Sequence, residues 1–355
     1  MDKVALLLAS TLLAFSVFHL PSSRPDSIPA TEPGRGDLQT QADGSSGSAA
    51  SGADSRQLLV GGGALQIDFA PGPLDLPRIA ILNHIEAAAD AVSTYFGGFP
   101  VKRVRVLVVP VAGGHNGIHG TTWGDVDGFQ GFTRLRVDEH TTAADLVDDW
   151  VTTHELTHMA FPSLPRDQHW MEEGMATYIE PIARVETGEL KAPQIWQDMV
   201  HGMPNGEPPP GDEGLNHTHT WGRTYWGGGL FCLVADVEIR RQTGNRMGLQ
   251  DAMRAIVAEG GTIDREWPLD KALEIGDRAT GTHVLTRQYA AWKDTPTRVD
   301  LVKLWEELGV RSTADGGVEL LANAPLAGVR EAITANPKRA EKTKDARRKG
   351  SVPNP

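Results

Sequence analysis

The order of hydrophobic periodicities predicts an α+β protein, with an N-terminal mixed sheet and helices followed by a mainly helical C-terminal lobe. Two observations carry this. Strand-type, β-branched sequence is confined to the first part of the folded chain, as in "VKRVRVLVVPV" from Val101. Apolar residues at helical spacing then dominate from about Thr142 onward. Of 355 residues, 40% are hydrophobic and 23% charged, which is enough apolar content for one large domain or two small ones.

Residues 1–20 hold Lys3 and then an apolar run from Val4 to Phe18. That run is shorter than the roughly 20 residues of a full span, so a signal peptide or a short membrane anchor is expected, and with it an exported location. Residues 21–56 are rich in Ser, Gly, Pro and Ala and read as a disordered linker. The folded domain is expected over 57–335. Residues 336–355 carry seven basic residues against Glu341 and Asp345, a solvated basic tail.

Within the domain, Ile79, Leu82, Ile85, Ala89, Val92 and Phe96 form a helical stripe that Gly97-Gly98 ends. The strand from Val101 follows. A Gly-rich segment, "GGHNGIHGTTWGDVDGFQGFTRLRV", then ends in a short strand. Thr142 can cap a helix running through "AADLVDDWVTTHELTHMAF" to Pro162, and a second helix starts near His169. Further helical patterns cover "IWQDMVHGM", "TYWGGGLFCLVADVEIRRQTG", "GLQDAMRAIVAEG", "PLDKALEIGDRATG", "THVLTRQYAAW" and "RVDLVKLWEELGV".

The net charge of −12 argues against nucleic acid as a partner, because phosphate binding needs clustered Lys and Arg. The single cysteine, Cys232, rules out an intrachain disulfide and the Cys-based zinc motifs. Its apolar surroundings predict a buried, inert thiol.

The chemistry concentrates in "HELTH". His154 and His158 stand four apart, so on a helix they share one face and can share one metal. Zinc in catalytic sites takes three protein ligands and a water. Glu155 is placed to take a proton from that water. Such a motif arises by chance in roughly one chain in fifty of this composition, so it needs support from elsewhere. The second helix offers carboxylates at its start, Glu172 and Glu173, and two helices joined by a short loop fold back on one another.

"HELTH" followed by "WMEEGMATYIE" resembles the gluzincin zinc metallopeptidases, with the glycyl aminopeptidase family the nearer likeness and the aminopeptidase N family the more remote. The likeness continues in "RTYWGGGLFCLVADVEIRRQTGNRMGLQDAMRAI" and covers about 100–310. It implies a thermolysin-like catalytic domain with one zinc per chain on His154, His158 and Glu173. Glu155 would be the general base, Tyr225 the oxyanion donor and Glu180 an outer acid orienting a ligand histidine. The implied activity is peptide hydrolysis on a peptide or protein substrate, aminopeptidase-like. A non-catalytic binding module on the same fold, or a zinc hydrolase of non-peptide bonds, are the alternatives. The chain departs from the family in having only fourteen residues between His158 and Glu173. It also lacks the Gly-x-Met-Glu-Asn segment. "DVDGFQG" is expected where a substrate-edge strand should lie, with Gln130 near the position of the acid.

Other polar residues carry weaker signals. His217 and His219 are expected in a solvated loop, and His115 and His119 in a Gly-rich loop with no helical geometry. His169 is close enough to Glu173 to reach the cleft. Glu172 competes with Glu173 as ligand, and Trp170 and Met171 read as core.

Overall fold

Alternating apolar residues build the sheet. Leu65, Ile67, Val104, Val106, Val108, Leu135 and Val137 are all fully buried or nearly so, and they share the inner face of neighbouring strands. A computed structural model describes residues 55–113 and 117–335. The expected leader, the linker up to residue 54, the basic tail and His115 lie outside the described residues.

The sheet has five strands: β1 (Ser55–Val60), β2 (Gly63–Phe69), β3 (Arg103–Val111), β4 (Ile118–Val126) and β5 (Phe129–Asp138). Their order is β1-β2-β3-β5-β4. The central pairs β2–β3 and β3–β5 are parallel, and the flanking pairs are antiparallel, which makes the sheet mixed. Helix α1 (Arg78–Phe96) follows β2 and ends at Gly97 with φ 78°. Ile85, Ala89, Val92 and Phe96 of the expected stripe are buried, but Ile79 is 61% exposed and Ile81 takes the inward place in the first turn.

Three readings of this half need correction. The β1–β2 hairpin was not expected, and Ser55 and Arg56 belong to its first strand rather than to the linker. The Gly-rich segment is a complete β4–β5 hairpin. "DVDGFQG" is its tight turn and the start of β5, with Asp127 and Gly128 at φ 51° and 76°. Among the described residues β4 is therefore the outermost strand on the side of the helices. Gln130 sits on β5, bonded to the Lys102 amide at 2.8 Å and to Asp264 at 3.3 Å.

The helix from Thr142 forms with the expected cap, its hydroxyl and the Asp145 carboxylate making a reciprocal pair. It then breaks. Helix α2 (Ala143–Asp148) stops and α3 (Val151–Thr157) restarts. The cause is Asp149, whose carboxylate accepts from the amides of Val151 and Thr152, both at 3.1 Å. His84 of α1 holds the same carboxylate at 2.7 Å.

The rest is helical: α4 (His169–Thr187), α5 (Ala192–Gly202), a π-helical turn (Gly222–Gly227), α6 (Gly228–Thr243), α7 (Leu249–Ala258), α8 (Leu269–Thr280), α9 (Val284–Trp292) and α10 (Leu301–Leu308). A small hairpin, β6 (Val310–Ser312) with β7 (Val318–Leu320), and α11 (Ala327–Ile333) close the described chain. Cys232 is buried on α6, and burial pushes its thiol pKa up. Among the described residues no helix is long and apolar enough to cross a membrane.

Candidate metal centre

Helix α3 carries His154 and Glu155, the 3₁₀ turn His158–Ala160 that continues it places His158 one turn after His154, and the first turns of α4 return Glu173 to them. His154 Nε2 lies 3.0 Å from Glu173 Oε2, and His158 Nε2 lies 3.7 Å from the same oxygen. One ligand atom from each of the three falls within 4.8 Å of the others. Two imidazole nitrogens and one carboxylate oxygen are a zinc donor set, and they converge on one point. The short connection between the helices is pinned from the helical lobe. Ser163 Oγ donates to the Ile263 carbonyl at 2.9 Å, and the Ser163 amide bonds Arg265 at 2.8 Å.

Burial and the carboxylate–histidine contacts together set the protonation states. Desolvation pulls the His158 pKa down to about 4, which keeps the ring neutral at pH 7, the state that a metal ligand requires. Burial also acts on His154, but the bond and charge of Glu173 outweigh it and its pKa is raised. Burial opposes the charge on Glu173 as well, yet the surrounding histidines hold its carboxyl well below the usual range. The His169 pKa is pushed up to about 11, because the bonds it donates to Glu172 and Glu173 overcome its desolvation.

Glu172 faces elsewhere. Its oxygens meet the Leu164 amide at 3.2 Å and His169 Nδ1 at 2.9 Å. Glu180 is buried and accepts from Arg184 Nη1 at 2.9 Å. Its charge still raises the His154 pKa through space. His154 Nδ1 has no hydrogen-bond partner among the described residues, so Glu180 makes no orienting bond to that ring. His217 pairs with Asp294 at 2.8 Å in an exposed loop, and His119 and His219 are exposed. Trp170 and Met171 are core, with Trp170 Nε1 donating to Asn216 at 2.9 Å.

Tyr225 reaches the same centre from the helical lobe. Its ring stacks on His154, centroids 6.1 Å apart and planes at 24°. It stands in the π-helical turn, a geometry that recurs at functional sites. Two glycines allow this approach. A Cβ on Gly174, the residue after Glu173, would lie 2.2 Å from Gly228 Cα, so the two backbones touch where no side chain fits. Arg223, two residues before Tyr225, anchors the turn through a fully buried pair with Asp212 at 2.8 Å.

The missed feature is Gly120 on β4. A Cβ there would lie 2.3 Å from Glu155 Cγ and 2.9 Å from its Oε1. Thr122, two residues on, donates to the Glu155 carbonyl at 3.1 Å. Glycine thus leaves the room that Glu155 occupies. Gly120→Ala is expected to displace the Glu155 side chain, since the added methyl would overlap its Cγ. A misplacement of about 1 Å costs on the order of 10²-fold in rate. Turnover with peptides, compared at matched zinc content and melting temperature, checks this.

The fold is similar to that of a solved aminopeptidase N family protein. An aminopeptidase N family protein from Idiomarina loihiensis superposes with a TM-score of 0.53 at 15% identity, over 72% of this chain and 49% of that one. An M1 zinc metallopeptidase from Deinococcus radiodurans gives a TM-score of 0.46 at 14% identity, over 70% of this chain and 53% of that one. The chain thus spans about half the length of these structures. At this identity the likeness concerns the fold. No family model and no curated protein sequence matches the chain.

Proposed function

We propose that this chain is a zinc-dependent peptidase. The observation that carries the reading is the convergence of His154, His158 and Glu173 within 4.8 Å, with Glu155 on the same helix beneath the edge of β4. His154, His158 and Glu173 would hold the ion. Bound there, zinc would supply Lewis-acid chemistry, acidifying water and polarising a carbonyl. Glu155 accepts the proton of the attacking water and returns it to the leaving amine. Tyr225 donates its hydroxyl to the oxyanion that forms on the former carbonyl oxygen.

An extended peptide suits the edge of β4, which pairs with no further strand among the described residues, because a strand edge offers backbone donors and acceptors in register. Aminopeptidase-like release follows from the family resemblance. A second reading, cleavage within a chain, is favoured by β4 itself. Its one carboxylate, Asp125, stands five residues beyond Gly120, at the turn end of the strand, and not beside Glu155. Digestion of a peptide pool, read by mass spectrometry, separates single-residue losses from internal cuts. The composition of residues 1–20 supports an exported enzyme, and fractionation of cells would place it.

Tyr225→Phe is expected to lower turnover by about 10²–10³-fold, the usual cost of one oxyanion donor. The Michaelis constant should move little, because the bond strengthens in the transition state. A raised Michaelis constant with turnover unchanged would assign Tyr225 to substrate binding instead.

A further inference from the structure

The outward oxygen of Glu173 is not left to solvent. His169 stands one turn before it on α4, and His169 Nε2 lies 3.3 Å from Glu173 Oε1. The other oxygen, Oε2, is the one that faces His154 and His158. The His169 ring is itself held. Its Nδ1 lies 2.9 Å from Glu172 Oε2, and Glu172 Oε1 accepts from the Leu164 amide at 3.2 Å. His169 is not among the residues whose donor atoms converge on the metal point.

We propose that His169 is a positioning residue which, with Glu172 behind it, fixes the Glu173 carboxylate so that one oxygen only is presented to the metal. A carboxylate free to rotate would offer either oxygen, or both, and would lose entropy on binding. A bond to the far oxygen removes that freedom beforehand, as outer partners of metal ligands generally do. The chain Leu164 amide, Glu172, His169, Glu173 begins in the short loop after α3 and ends at the ligand. The loop that carries the residues between His158 and Glu173 therefore also orients the third ligand. This gives Glu172 a role distinct from that of a rival ligand.

The assignment rests on the zinc reading above, and the test separates the two. Zinc affinity is measured on the full chain by competition with a chromophoric chelator. Wild type, His169→Phe, Glu172→Gln and the double variant are compared. His169→Phe is expected to bind zinc roughly 10–100-fold more weakly. Glu172→Gln should lose less, and it should lose nothing further in the His169→Phe background, because it acts through His169. His169→Gln, which keeps one donor, should recover part of the affinity. It also serves as the second variant if the phenylalanine protein fails to fold. Substitution by cobalt(II) should give the same ligand-field spectrum in wild type and His169→Phe. Unchanged zinc affinity in both His169 variants, or additive losses with Glu172→Gln, would overturn the proposal. So would a cobalt spectrum that changes, which would make His169 a ligand. Wild type that binds no zinc would overturn the zinc reading and this inference together.

Discussion

Glu155→Gln is expected to abolish most turnover while leaving zinc in place. The amide keeps the size of the side chain, so it still fits the room that Gly120 leaves, and α3 is not disturbed. Glu155 takes no part in the bond between His154 and Glu173 or in the approach of His158 to the same oxygen. What is lost is the ability to accept a proton. General-base catalysis contributes about 10²–10⁴-fold, so the turnover should fall by that factor. Substrate should still bind, since the interaction lost belongs to the transition state. The measurement is cleavage of a peptide pool at matched zinc content, with elemental analysis of both proteins. A variant that cuts as fast as wild type would remove Glu155 from the mechanism. Wild type that binds peptide but cuts nothing across broad pools would favour a binding module on this fold.

The elements that could be read in the sequence are those whose signal is local. Gly97 ends α1 in the left-handed conformation, and the Thr142–Asp145 pair starts α2, because caps are set by a few adjacent residues. The histidine pair is legible because helical spacing alone puts both rings on one face. The break at Asp149 is not legible. An aspartate inside a helical pattern looks the same whether it faces water or caps the next helix, and the choice here depends on His84, 65 residues away. The hairpin of β4 and β5 was hidden by its composition. Its glycines suggest a loop, yet Gly120, Gly124 and Gly131 are small because Glu155, the Ile263 carbonyl and Met159 press against the sheet face. The turn at Asp127-Gly128 was the one local clue to the hairpin. Proximity of His169 to Glu173 follows from their spacing. Its bridging of two carboxylates requires the loop at Leu164, which only the fold positions.

Glu173→Ala should have the largest effect on metal binding. Glu173 is 3% exposed, and its Oε2 is the atom toward which both ligand histidines point. Removing it deletes a donor from a three-ligand set, so the loss of zinc affinity should exceed the roughly 10–100-fold typical of losing an outer partner. Glu172 cannot take its place without breaking its own contacts. Its oxygens are held by the Leu164 amide at 3.2 Å and His169 at 2.9 Å, beyond the His169 ring. Glu172→Ala should therefore leave one zinc per chain under conditions where Glu173→Ala is purified without it. Activity should follow occupancy, and added zinc should restore Glu172→Ala more readily than Glu173→Ala. Elemental analysis of freshly purified wild type and both variants decides the matter. If Glu172→Ala loses the metal and Glu173→Ala keeps it, the third ligand has been assigned to the wrong glutamate. If wild type carries no transition metal and takes up none, the three convergent side chains serve the fold and the peptidase reading falls.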